Sequence, residues 1–160
     1  MIPPANITAW REHAPWPTDV QVEQDLVLSR ALVEMFGQPD LPQALAFRGG
    51  TALHKLALCP PLRYSEDIDL VQVEAGPAGP LIDRIRAVLD PWLGSPRRKL
   101  GPSVATSLSR DEATRPAQLA RLTVEINTRE HFAVLGYRRQ ELEVDNPWFN
   151  GSASLVTFKA

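Results

Sequence analysis

Apolar and polar positions along this 160-residue chain follow two rhythms, and each predicts a kind of element. Between Asp19 and Phe36, Val22, Leu26, Leu32, Val33 and Phe36 recur near helical spacing, and Gly37 with Pro39 closes the run, which predicts an amphipathic helix over 19–36. "ALAF" at 44–47 is short and apolar and is stopped by Gly49 and Gly50. "TALHKLAL" then sets Leu53, Leu56 and Ala57 at i, i+3 and i+4, so the order is strand, glycine turn, and a helix opening at Thr51. "DIDLVQV" from Asp67 reads as a second strand. "GPLIDRIRAVLDPWL" puts Leu81, Ile85, Val88 and Leu89 on one helical face until proline breaks it. A further strand is expected near 103–109. "ARLTVEIN" alternates, with Leu122, Val124 and Ile126 pointing one way and Arg121, Thr123, Glu125 and Asn127 the other. The tail, 137–158, reads as one or two strands around the loop "DNPWFNGS".

The alternation raises a chemical question. Strand side chains change face at every residue, so Asp67 and Asp69 project from one face while Ile68 and Leu70 take the other. The bland reading is a solvated strand edge. Two like charges held close raise each other's pKa, however, and a divalent cation relieves the repulsion, hard Mg²⁺ preferring carboxylate and phosphate oxygens. Glu125, on the polar face of its own strand, is the natural third ligand if the two strands are neighbours. The turn at Gly49 and Gly50 lets the backbone approach an anion, and the amides at the helix start, with the Thr51 hydroxyl, could hydrogen-bond phosphate oxygens. A phosphate site beside a metal site is a nucleotide site.

Composition narrows the setting. With 44% hydrophobic and 22% charged residues the chain fits a single globular domain over 1–160. A net charge of -2 supplies no global positive field, so any contact with RNA must be local. "SPRRKL" at 95–100 and "YRR" at 137–139 are together the candidates for an RNA-facing patch. One cysteine, Cys59, permits no internal disulfide, and "MIPPANITAWREH" has neither the pattern of a signal peptide nor a run long enough to span a bilayer. The expected location is the cytoplasm, with no membrane partner. His13, His54 and His131 lack metal-ligand spacing, and Trp92 and Trp148, each beside a proline, read as loop packing.

"FRGGTALHKL", "RYSEDIDL" and "RLTVEIN" together resemble the nucleotidyltransferase-like AbiEii/AbiGii toxin family of type IV toxin-antitoxin and phage-defence systems, a branch of the DNA polymerase β-like nucleotidyltransferase superfamily. The resemblance runs in order across residues 46–127. It implies an α+β fold, a mixed β-sheet flanked by helices. It also implies Mg²⁺, or Mn²⁺, held by Asp67, Asp69 and Glu125, and a nucleoside triphosphate approached by Gly49, Gly50 and Thr51. Arg63 and Ser65 match the lead-in to the acids, and Lys55 matches a position commonly basic. The activity implied is transfer of a nucleoside monophosphate to an acceptor, with transfer RNA as one acceptor and a cognate antitoxin as a partner. Two metal ions roughly 3.5 to 4 Å apart would be bridged by Asp67 and Asp69. Relatives continue into a mostly helical second lobe, which is expected to be absent from 1–160, leaving exposed apolar surface with the tail strand near Leu155 to Phe158 as its place. The alternative is a non-catalytic or split nucleotide-binding module acting through an antitoxin or a separate helical lobe. A third reading is an antitoxin that modifies a partner toxin.

Overall fold

The structure is a computed structural model, and it describes residues 2–57, 64–93, 97–100, 104–109 and 121–159. Helix α1, Pro4–Trp10, leads into α2, Asp19–Phe36. The start of α2 is fixed by a capping box: the Gln21 amide donates to Thr18 Oγ1 at 3.3 Å, and the Thr18 amide donates to Gln21 Oε1 at 3.2 Å. A short helix, α3 (Leu41–Ala44), runs straight into strand β1, Leu45–Arg48, and β1 runs straight into α4, Gly49–Leu56. Strand β2 is Asp67–Gln72, α5 is Gly79–Leu93, and five strands complete the described order: β3 Arg97–Leu100, β4 Val104–Ser109, β5 Arg121–Asn127, β6 Tyr137–Asp145 and β7 Asn150–Phe158.

The described strands form one seven-stranded sheet in the order β3-β4-β5-β2-β1-β7-β6. It is mixed: β1 lies antiparallel to β2 and parallel to β7, and β2 lies parallel to β5. The α+β class and the three sheet strands expected from 44–47, 68–73 and 122–126 are therefore present in one sheet. One face is apolar. Ile68, Leu70, Leu122, Val124 and Ile126 are all 1% exposed or less and join a core with Leu26, Leu28 and Leu32 of α2 and Ile82, Ile85 and Leu89 of α5. The alternation that buries these residues turns Asp67, Asp69 and Glu125 outward on the other face.

Three differences from the sequence reading have local causes. The helix after β1 begins at Gly49, so the glycines are its first residues rather than a turn ahead of Thr51. Helix α5 is not broken by Pro91, which falls in its final turn. There the lost amide bond is offset by burial of Leu93 and by Trp92, whose ring lies 5.9 Å from that of Trp148, the packing role expected for both. The basic clusters do not form one patch, because β3 and β6 occupy opposite edges of the sheet. Arg63 and Cys59 lie outside the described residues.

Candidate active site

Register across three strands builds the site. Asp69 is paired with Glu125 on β5 and with Arg48 on β1, so Arg48, Asp69 and Glu125 form one row across the sheet on the same face. Asp67, two residues before Asp69 on β2, shares that face and is paired with Thr123. The neighbouring strands that the sequence reading assumed for Asp67, Asp69 and Glu125 are thus the ones observed.

The acids feel one another. Burial, then the negative charge of Asp67, pushes the Asp69 carboxyl above its ordinary range, while the positive charge of Arg48 holds it partly down. Burial, then the charges of Asp69 and Asp67, raises Glu125 as well. Asp69 and Glu125 share a hydrogen bond that lowers the Asp69 pKa and raises that of Glu125. Among the described residues no three His, Cys, Asp or Glu side chains are arranged as a cation cage. The convergence of all three carboxylates on a common point, expected from the sequence, does not take that form among the described residues. As a donor set they still suit Mg²⁺: hard oxygens, mutually repelling, with Glu125 open to solvent.

The glycine pair borders these acids. Gly49 has φ +84, and a β-carbon built there would run into the Asp69 carboxylate. Only glycine satisfies both the backbone and the space. Gly50 follows it, both are exposed, and no side chain caps the start of α4, so the amides of its first turn face outward as an anion site requires.

Thr51 and Ser65 behave differently from the expectation that they meet nucleotide. Thr51 is 1% exposed. Its hydroxyl donates to the Asp67 carbonyl at 2.5 Å and shares a hydrogen bond with the Ser65 hydroxyl. The two residues tie the start of α4 to the start of β2 and so fix the spacing between glycines and acids. Lys55 is also committed elsewhere: its Nζ lies 2.5 Å from Asp25 Oδ1 and donates to Ser29 Oγ at 2.9 Å, in an ion pair whose side chains are 12% and 8% exposed. Trp10 Nε1 donates to the other Asp25 oxygen at 3.0 Å. Lys55 thus anchors α4 to α2.

Residues the sequence reading passed over complete the surroundings. Arg48 Nη1 lies 3.3 Å from Glu130, whose amide and carboxylate are both held by Asn127 at the end of β5. The signal for Arg48 was present in its place before the glycine pair. Tyr64, whose hydroxyl is pushed up to about 12 by burial and the charges of Glu66, Asp25 and Asp67, packs edge-on to Trp16 at 5.6 Å. His54 packs against the same indole, and burial followed by the Lys55 charge lowers its pKa, in keeping with a packed histidine.

The family model for the nucleotidyl transferase AbiEii toxin of type IV toxin-antitoxin systems matches residues 30–157. The chain belongs to the AbiEii family. The AbiEii match spans β1 through β7 and so includes Asp67, Asp69, Glu125 and the glycine pair. Among solved structures the chain is similar in fold to MenT4, a nucleotidyltransferase toxin from Mycobacterium tuberculosis H37Rv, at 16% identity and a TM-score of 0.58 over 96% of this chain and 54% of that one. The AbiEii chain described here thus spans about half the length of that structure. No curated protein matches the sequence. No described helix is long and apolar enough to cross a membrane.

Proposed function

We propose that this AbiEii-family chain carries the catalytic face of a metal-dependent nucleotidyltransferase toxin, which transfers a nucleoside monophosphate from a nucleoside triphosphate to an acceptor, transfer RNA being the acceptor class to test first. A cognate antitoxin is its partner. The observation that supports this reading is the row of Arg48, Asp69 and Glu125 across β1, β2 and β5, lying against a glycine whose missing side chain makes room for Asp69.

Asp67, Asp69 and Glu125 would hold Mg²⁺ or Mn²⁺, which when bound supplies charge neutralisation at the reacting phosphate and polarises the attacking hydroxyl. The amides of Gly49 and Gly50 meet the phosphate oxygens at the start of α4. Glu125, with a raised pKa and an exposed carboxyl, suits proton transfer from the acceptor hydroxyl. A bond forms between that oxygen and the α-phosphorus, the bond from the α-phosphorus to the bridging oxygen breaks, and pyrophosphate leaves. Thr51 and Ser65 act as positioning residues, holding the glycine turn against the acid strand.

The test is Asp69→Asn, which keeps the shape of the side chain and removes its charge. Thermal unfolding with and without Mg²⁺, paired with transfer of label from each of the four triphosphates to bulk transfer RNA, reads the outcome. Mg²⁺ stabilises the wild type and much less the variant, and transfer is lost in the variant. Equal Mg²⁺ responses in both proteins refute the metal site. A clear response without transfer to any acceptor favours the non-catalytic binding module.

A further inference from the structure

We infer that the groove between α4 and the β6–β7 hairpin seats the base of the nucleoside triphosphate, with Arg48 and Arg138 as its cationic rim, an inference that rests on the nucleotidyltransferase reading above. The groove has a volume of ≈ 280 Å³. Small-molecule sites run from about 300 to 1,000 Å³, so this one suits a single ring system with its sugar rather than a larger ligand. Leu53, Leu56 and Phe158 form its apolar walls. Leu53 is 55% exposed, and a flat heteroaromatic ring against it and Phe158 would remove both from water.

Three observations favour a nucleotide over any other apolar guest. The groove is continuous with the phosphate-facing turn, since Gly49 lines it as well as touching Asp69. Its lining holds two guanidinium groups and no carboxylate, which suits an anionic ligand. Arg48 is bound only by a 3.3 Å contact to Glu130 between side chains 39% and 63% exposed, and so loose a pair costs little to give up for a phosphate. Arg138 has no acidic partner among the described residues. The third observation is Gln140: its Nε2 donates to the Leu56 carbonyl at 2.6 Å, which fixes the amide and leaves Oε1 buried with no hydrogen-bond partner. That acceptor has no surface open to the groove in this structure, so a donor reaches it once the Gln140 side chain shifts, and the Watson–Crick edge of every nucleobase carries an N–H.

Calorimetry of the whole chain in Mg²⁺ with ATP, CTP, GTP and UTP, and separately with inorganic tripolyphosphate, divides base binding from phosphate binding. Nucleotides should bind more tightly than tripolyphosphate. Leu53→Ser, on an exposed position that folding does not need, should weaken nucleotide binding by about tenfold and leave tripolyphosphate unchanged, the arithmetic of one lost apolar wall. Arg138→Met should weaken both. If wild type binds nucleotide and tripolyphosphate equally, or if Leu53→Ser leaves the difference intact, the groove is not the base seat; Asp69-dependent transfer would then persist and keep the broader reading. A wild type that binds neither ligand and transfers nothing overturns both.

Discussion

At Gly49 two constraints meet: a backbone angle that side chains disfavour and a carboxylate where a β-carbon would stand. Gly49→Ala should therefore destabilise the protein by about 1–3 kcal/mol, seen as a lower urea midpoint at unchanged slope. A second expectation at this scale concerns pH. Burial and mutual repulsion hold the folded pKa values of Asp69 and Glu125 above their ordinary 3.8 and 4.5, so the folded chain binds protons more tightly than the unfolded one. The stability these groups contribute is complete below their unfolded pKa values and is lost as pH rises through the folded ones. In chelator, the melting temperature of Asp69→Asn relative to wild type should climb from pH about 4 to about 7; a gap that stays constant would show that Asp69 is not strained by its neighbours. The glycines and acids were legible because turn chemistry and strand alternation are local. The partners of Thr51 and Lys55 were not, since Lys55 meets Asp25 from 30 residues away.

Elements were read best where their ends carry chemical signals. The 19–36 helix was found at its observed limits because its apolar stripe ends at Gly37, and the Thr18–Gln21 capping box fixes its start. Helix α1 has no buried residue to give it a stripe, and β3 was hidden inside a basic cluster. Beside the packing of Ala52 and Leu56 on the core, a polar anchor ties α4 to α2, and this gives a third prediction. Lys55→Met leaves the Asp25 charge buried without its cation, which should cost roughly 3–5 kcal/mol. Adding Asp25→Leu should restore much of that loss, because an apolar pair of similar volume replaces both charges, although Trp10 and Ser29 each forfeit a hydrogen bond. Urea unfolding of the two single variants and the double gives the coupling directly. Additive losses would mean that the pair does not hold the two helices together.

At the scale of the molecule, the exposed apolar surface among the described residues lies mostly elsewhere than the sequence led one to expect. The tail strand was the expected place, and it is open only in part: Leu155 is fully buried and Thr157 is 7% exposed, because β7 is an interior strand between β1 and β6, while Phe158 lines the groove beside Leu53. A terminal segment read alone gives no sign that it will be inserted into the middle of a sheet. Among the described residues the exposed large apolar side chains are Leu53 on α4 and Phe132, Val134 and Leu135 in the connection from β5 to β6, at 55%, 72%, 89% and 62% exposure. That connection is tied back to the acid face through the Arg48–Glu130 contact and hangs its apolar side chains outward. Three such residues within four positions exceed what scattered surface apolar residues usually show and favour association. Replacing Phe132, Val134 and Leu135 together with serine changes side chains that are mostly exposed, so unfolding free energy should change by less than about 0.5 kcal/mol per site. Self-association measured by sedimentation at rising protein concentration should fall. If stability drops by several kcal/mol instead, these side chains pack against the fold, and the β5–β6 connection is part of the core rather than a surface offered to a partner.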